Sequence, residues 1–577
     1  MIGLLAAASV LVVTLDTTRA DHLGCYGAKN AATPTIDALA ASGSRFEQAL
    51  SPAPLTFPSH TTIFTGRIPR RHGVRDNALF RLKPDVPVLA ESFKKAGYRT
   101  GAFVSAAVLD GSLGLSRGFD VYDDALGPAA RGEEAERRGD RTADAAIAWI
   151  AKAKAPFFVW VHLYDPHAPY APPEPYATKF RAAPYDGEIA FLDAQVGRLL
   201  AAARARAPSL LVTLAGDHGE SLGEHGEDTH GIFLYQATQR VPLILAGPGI
   251  AAGRVVRETV GLVDVAPTIA EIAGVPPPAG ADGVSLFRAS RRDVEMESFF
   301  PLFSYGWAPL RAIVRGPLKL IDAPRSELYD LSKDPAETKN MRLARRNEAS
   351  ELSRALYARI EGDAPVPDAM DPALAEHAQR IASLGYVGGS APAAGAEAID
   401  PKDGIVWIAD LEAGRNALAQ KRGADGIAPL SRLLARNPSN LPALMTLAAC
   451  FEDAGRLDEA IGVHRRALAL YPRSAITWKN LGGALDLRGK KDEAAAAFEK
   501  AVALDPADAD ALHELSRLAF QRKDWAAAER FLSRELAARP DAATARALGD
   551  LRSKKLNDAA GAREAYRRAR ELEGAKR

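Results

Sequence analysis

The stretch Leu210–Ala215, LLVTLA, is a short apolar run without charge, the pattern of a strand buried on both faces of a parallel sheet. It ends at Gly216 and sets Asp217, His218 and Glu220 just past the strand's carboxyl end. In open α/β sheets ligands bind there, because the loops leaving the strand tips converge. Val10–Leu15 repeats the design and ends on Asp16, and Phe157–Leu163 runs into Asp165 and His167. Tyr98–Val104 and Val241–Ala246 read as further strands. Segments of helix length between these runs imply crossover connections and a mainly parallel sheet sandwiched by helices, with Asp16, Asp165 and Asp217 on one edge. A single Asp-His pair would read as a helix cap beside an ordinary loop histidine. Three such deliveries to one edge argue for a site.

The chain of 577 residues has room for three or four domains at roughly 150 residues each. Its net charge of +1 implies neither a nucleic-acid nor an anionic-membrane partner. Two cysteines, Cys25 and Cys450, are too few for a disulfide framework. Of the 11 histidines, only His377, His464 and His513 follow His230, so the rest cluster with the strand-tip aspartates. Carboxylate and neutral imidazole are the donors that catalytic divalent ions take. A cluster of Asp16, Asp165 and Asp217 with His167, His218 and His230 therefore predicts a metal site, with zinc or manganese ahead of calcium or magnesium.

Pro52–Gly66, PAPLTFPSHTTIFTG, is a proline-bounded loop running into a helix whose amino terminus suits an oxyanion. Thr56 stands just ahead of it, as a reactive hydroxyl or as a helix cap. Arg19, one turn past Asp16, is a candidate for an anionic substrate or for a salt bridge. Asp264 reads as a helix cap, and Glu220 and His225 as loop residues.

Several ordered motifs together resemble the sulfatase branch of the alkaline-phosphatase superfamily over about Val10–Met341. They are TLDTTRADHLGCYG (14–27), PLTFPSHTTIFTG (54–66), HLYDPHAPY (162–170) and GDHGESLGEHG (216–226), with RAIVRGPLKLIDAPRSELYDLSKDP (311–335) resembling the small antiparallel subdomain that closes such folds. The resemblance implies that Asp16, Asp217 and His218 bind metal and that Thr56 is both nucleophile and ligand. It also shows departures. Sulfatases carry Cys or Ser in C/S-x-P-S-R, oxidised to formylglycine; this chain reads Thr56-Phe57-Pro58-Ser59-His60, and threonine is no substrate for that oxidation. The sulfate-binding element after GYRT is replaced by VSAAVL (104–109). Nucleotide pyrophosphatase/phosphodiesterases and phosphoethanolamine transferases of the same superfamily use threonine, and His230, 12 residues past His218, looks like the latter. That comparison makes His230 a second-site ligand with Asp165 and His167; the sulfatase comparison sets His167 and His230 on the substrate oxyanion instead. His60, like Arg19, is a candidate substrate contact.

Val387–Lys402 is rich in Ala, Gly and Pro and reads as a linker. Beyond it Pro438, Pro472, Pro506 and Pro540 are spaced 34 apart, as are Ala460, Ala494, Ala528 and Ala562. This is the tetratricopeptide period, a helical hairpin per repeat, with a concave face for a protein or peptide partner. The third copy departs, with Lys523 at the glycine position and Glu535 where a small residue is expected. The expected organisation is a catalytic α/β domain over 1–300, a subdomain and connecting helix over 301–386, a linker over 387–402 and repeats over 403–575. Met1–Leu15 is too short to span a bilayer, where roughly 20 residues are needed, and lacks the basic start of a secretory signal, so any exporting segment would lie upstream.

The favoured function is metal-dependent hydrolysis of phosphate esters through Thr56, with sulfate esters as a further substrate. The alternatives are a phosphoethanolamine-transferase-like phosphoryl-group transferase, a sulfuric ester hydrolase, and a catalytically weak tetratricopeptide scaffold.

Overall fold

A computed structural model describes residues 8–126, 136–288, 292–361 and 399–574. The central sheet runs β4 (Val121–Asp123), β3 (Arg99–Phe103), β5 (Phe157–Leu163), β1 (Ser9–Leu15), β6 (Leu210–Gly216), β8 (Leu243–Ala246), β2 (Ser44–Leu50), β7 (Arg240–Val241), with β9 (Arg254–Gly261) also paired to β2. The half from β4 to β6 is parallel throughout, as the buried apolar runs predict. The expected strand 241–246 is instead broken at Pro242, and its main part, β8, runs antiparallel to β6. Proline has no N–H to give a ladder, which confines it to such breaks.

Position of the site follows from register. β1 lies between β5 and β6, with Leu15 opposite both Leu163 and Gly216. The Asp16 N–H donates to Leu163 O at 2.9 Å and the Asp217 N–H to Leu15 O at 3.3 Å, so the two aspartates leave the sheet side by side.

A second sheet, β10 (Val294–Ser298), β11 (Leu310–Arg315), β12 (Leu318–Asp322) and β13 (Glu327–Asp330), is antiparallel and is the small subdomain expected from 311–335. The Arg346–Ile360 helix covers it through Leu352 and Leu356. Of the expected linker, 387–398 lies outside the described residues. Ile399–Lys402 is tied down: the Ala308 N–H donates to Ile399 O, and Asp400 accepts from Arg325 N.

Five helical hairpins then run from Ile408 to Gly574. Their turns need a left-handed residue, and Lys421, Gly455, Gly489, Lys523 and Asn557, each 34 apart, all have positive φ. Glycine adopts that conformation without strain, so Lys523 keeps the turn geometry at an energetic cost. The first hairpin and the segment leading into it pack on the region 305–325 of the subdomain. Asn437 Nδ2 donates to Tyr305 O, Arg325 forks onto Asp403, and the buried Trp307 stacks on Tyr305 with Trp407 edge-on.

Candidate active site

The Thr56–Thr65 helix is buried along its whole length, and Thr56 is its first residue, not its cap. Leu55 holds the cap position and makes no side-chain cap bond, so the threonine hydroxyl is not spent on its own helix. Instead Thr56 Oγ1 lies 3.3 Å from His218 Nε2. The anion cradle is smaller than a helix start suggests: the Phe57 N–H goes to Asn77 Oδ1, residue 58 is proline, and the Ser59 N–H goes to Leu55 O. This leaves the Thr56 amide for an oxyanion.

His218 Nε2 also lies 3.5 Å from Asp16 Oδ1 and 3.6 Å from Asp217 Oδ2. Its Nδ1 donates to Gly219 O at 3.0 Å, which fixes the tautomer and points the Nε2 lone pair at the carboxylates and Thr56. A second partner of this kind orients metal-binding imidazoles generally. Asp16, Asp217 and His218 are all fully buried, with ligand atoms within 4.8 Å of one another. Asp16 Oδ1 and Asp217 Oδ2 have no hydrogen-bond partner, and among the described residues no Lys or Arg pairs with either carboxylate. Two buried carboxylates without a cation are costly. Burial pushes the Asp16 carboxyl up to about 7, and burial with the neighbouring Asp16 pushes Asp217 well above its ordinary range. Burial, then the His230 ring, holds His218 well below the usual imidazole range and so neutral. A divalent cation fits this donor set.

Asp217 is held firmly by its backbone, whose carbonyl accepts from Ser51 Oγ at 2.5 Å and Ser59 Oγ at 2.6 Å.

Behind the cluster sits a second carboxylate-imidazole group, His60, His162 and Asp217, also within 4.8 Å. Its hydrogen bonds rule out ligation by the two rings. His162 Nδ1 accepts from the Ser105 N–H, so its Nε2–H faces Asp16 Oδ2 at 3.2 Å. His60 Nδ1–H donates to Thr56 O at 2.8 Å, and its Nε2 accepts from Thr14 Oγ1, which in turn accepts from Trp160 Nε1. His60, expected as a substrate contact, is therefore turned into the protein and positions the Thr56 backbone. The sequence offered no sign that His162 would meet Asp16, beyond its placement on the inner face of β5.

His167 and His230, 9% and 8% exposed, form the outer pair. His167 Nδ1 donates to Ala168 O and His230 Nδ1 to Pro54 O, so two Nε2 lone pairs face each other at 3.1 Å. Two acceptors at that distance require a proton or a cation between them. The His230 ring packs at a tilt against His218, with ring centroids 4.4 Å apart and 43° between the planes. Asp165 does not join them: its Oδ2 accepts from the Gly139 N–H at 2.8 Å, at the start of the Gly139–Lys152 helix.

Arg19 is committed to protein partners, forking onto Asp21 and reaching Glu224 Oε1 at 2.6 Å. Glu220 is not an ordinary loop residue; it is fully buried, and burial, with the nearby Asp16 carboxylate, sets its carboxyl well above the usual range against the opposing pull of Tyr170. His225 is a loop residue as expected, stacked on Tyr235. Asp264 has no capping bond to the Val265–Ala273 helix, and binds the Val284 N–H and Arg292 instead.

His72 locks the Thr56–Thr65 helix from below, with Nε2 bonded to Thr62 Oγ1 at 3.0 Å and Nδ1 accepting from Val74 N. Burial, then Arg75, lowers it from 6.5 to about 3. Between those values the unfolded chain binds the proton and the folded one does not, so stability falls as pH falls, by roughly 1.4 kcal/mol per unit. The parent is expected to lose roughly 2–3 kcal/mol more than His72→Gln between pH 6.5 and pH 4.5, measured by urea unfolding.

With this geometry in place, comparison with known proteins is decisive. A sulfatase family profile matches residues 8–275, and the profile of the N-sulphoglucosamine sulphohydrolase C-terminal region matches 223–363. Residues 8–363 belong to the sulfatase family. Tetratricopeptide profiles match 439–507 and 487–551. This chain is 25% identical to the Delta 4,5-hexuronate-2-O-sulfatase of Bacteroides thetaiotaomicron, over 57% of this chain and 84% of that protein. It is 26% identical to the choline-sulfatase of Rhizobium meliloti, over 53% of this chain and 77% of that one. Among solved structures, the phosphonate monoester hydrolase of Agrobacterium radiobacter shares the fold, with a TM-score of 0.52 and 22% identity over 61% of this chain and 95% of that one. The chain is thus a sulfatase-like hydrolase of sulfuric or phosphoric esters, joined to tetratricopeptide repeats. No described helix of this chain is long and apolar enough to cross a membrane.

Proposed function

We propose that the chain hydrolyses phosphate esters through a covalent phosphothreonine on Thr56. The observation that carries this reading is the Thr56 hydroxyl itself, buried at a helix start, free of any capping role and 3.3 Å from His218 Nε2 beside two orphaned carboxylate oxygens. Asp16, Asp217 and His218, with Thr56, would hold a divalent cation. Bound there, it would supply positive charge next to Oγ1, the means by which such ions turn weak oxygen acids into nucleophiles near neutral pH.

The chain's own groups do the rest. Thr56 Oγ1 gives up its proton to solvent and attacks phosphorus in line, forming one P–O bond as the ester P–O bond breaks and the leaving oxygen departs as the alcohol or phenol; water then attacks the phosphothreonine, releasing phosphate and returning a proton to Oγ1. The Thr56 N–H donates to an equatorial oxygen. His60, through Thr56 O, and the two serine hydroxyls on Asp217 keep nucleophile and carboxylate in register. His167 and His230, with their Nε2 atoms 3.1 Å apart, would hold a second cation, which would supply positive charge to the substrate's oxygens. With Asp165 bound to Gly139, that second set consists of imidazoles alone.

A solved neighbour of the same fold is a phosphonate monoester hydrolase, which supports a phosphorus ester as the substrate class. The curated sulfatases keep sulfate esters as the second reading. Aryl phosphate monoester, phosphodiester and sulfate substrates, assayed with zinc, manganese or calcium, separate the two. Phosphate ester turnover at least about tenfold above sulfate turnover in kcat/KM is expected; the reverse order would overturn the phosphate reading. Phosphoryl transfer that requires an added alcohol would place the chain with the transferases.

A further inference from the structure

The repeat solenoid encloses an open groove of about 1040 Å³. Ala467, Ala501 and Ala569 occupy one register position in their hairpins, each buried, and Glu535 stands at that position in the Trp525–Ala538 helix. It is only 2% exposed and lines the groove. Its Oε1 accepts from Thr544 Oγ1 and lies beside His513 Nδ1, both at 3.1 Å. Its Oε2 has no partner. Among the described residues no Lys or Arg side chain pairs with Glu535, although an unpaired buried carboxylate is costly.

The surrounding charge points the same way. Glu452, Asp486, Asp510, Glu514 and Asp541 line the groove with Glu535, against Lys479, Arg517 and Arg539. Each of those three cations already holds a carboxylate of the solenoid: Lys479 with Asp508, Arg517 with Asp486, and Arg539 with Asp510. The groove is therefore acidic in excess; of its two buried carboxylate oxygens without a hydrogen bond, Asp486 Oδ1 lies 3.6 Å from Lys491 Nζ, and Glu535 Oε2 is left to accept. A purely structural role for Glu535 would use Oε1 on Thr544 and His513 and would not account for Oε2.

We propose that this groove binds an extended segment of a partner protein that presents a lysine or arginine side chain to Glu535. Helical repeat grooves suit extended peptides, and a desolvated carboxylate gives such a site its selectivity for a cation.

The test uses the full chain and fluorescein-labelled nonapeptide libraries in which each position in turn is fixed as arginine, citrulline or glutamate. Citrulline keeps the shape of arginine without its charge. Anisotropy is expected to show arginine about tenfold or more tighter than citrulline at one position, with glutamate weakest, and that preference is expected to vanish in Glu535→Gln and Glu535→Ala. The alanine variant restores the residue of the sister repeats, so both variants should keep the parent's helical circular dichroism. Absence of binding by any library, equal binding of arginine and citrulline, or an arginine preference that survives both substitutions would overturn the proposal.

Discussion

Thr56→Ala is expected to lower kcat for aryl phosphate hydrolysis by at least about 10³-fold, while Thr56→Ser keeps a measurable fraction of the activity. The alanine removes the one hydroxyl that faces His218, Asp16 and Asp217 and leaves the helix itself intact, since Leu55 and not Thr56 holds the cap position. Folding should be nearly unaffected for that reason. Serine presents the same oxygen without the methyl group that fixes the threonine rotamer. A loss of about 10³ corresponds to roughly 4 kcal/mol of transition-state stabilisation, the scale expected when a covalent route is removed and charge stabilisation remains. An unchanged rate in Thr56→Ala would mean that water attacks directly and that the threonine is only packing.

Asp217→Asn is expected to abolish the stabilisation that added metal gives the parent, and to reduce kcat by about 10³ or more. The amide fills the same space and leaves the Ser51 and Ser59 bonds to the Asp217 carbonyl in place, so the change is confined to charge. Without metal, the substitution removes one of two buried like charges, and the variant should melt no lower than the metal-free parent. With metal, the parent's melting temperature should rise and the variant's should stay where it was, because a ligand stabilises only the state it binds. The two curves crossing in this way separates loss of a metal ligand from general damage. An equal metal-induced shift in both proteins would remove Asp217 from the cation site.

The strands that build the site were legible because nothing but burial explains uncharged runs such as SVLVVTL and LLVTLAG, and parallel register then forces their aspartates together. β2 and β9 were not, since SRFEQAL and RVVRETVG carry charged residues on the partly exposed side of the sheet. Asp165 shows the limit of strand-tip arguments: the backbone sits at the right edge, but the start of the helix that precedes β5 takes the carboxylate. His60 shows a related limit. A histidine at an arginine's place in a motif suggests a substrate contact, whereas its Nδ1–H goes to Thr56 O and its Nε2 to Thr14 of β1, itself held by Trp160 of β5, inside the core. Glu220 looked like a loop residue because its neighbours are polar, and its burial is set by Tyr170 and the 162–170 segment, distant in sequence. In the solenoid the period itself carried the fold, and the left-handed turn at Lys523 shows that repeat geometry persists where the preferred glycine does not.

The most direct measurement is mass spectrometry of the Thr56 peptide after acid quenching, within the first turnover of an aryl phosphate by the metal-loaded protein. A phosphoryl group on Thr56, appearing with the released phenol and decaying as phosphate forms, is the predicted result. Released phenol and phosphate with Thr56 unmodified throughout, or the phosphoryl group on another residue, would contradict the assignment of Thr56 as nucleophile.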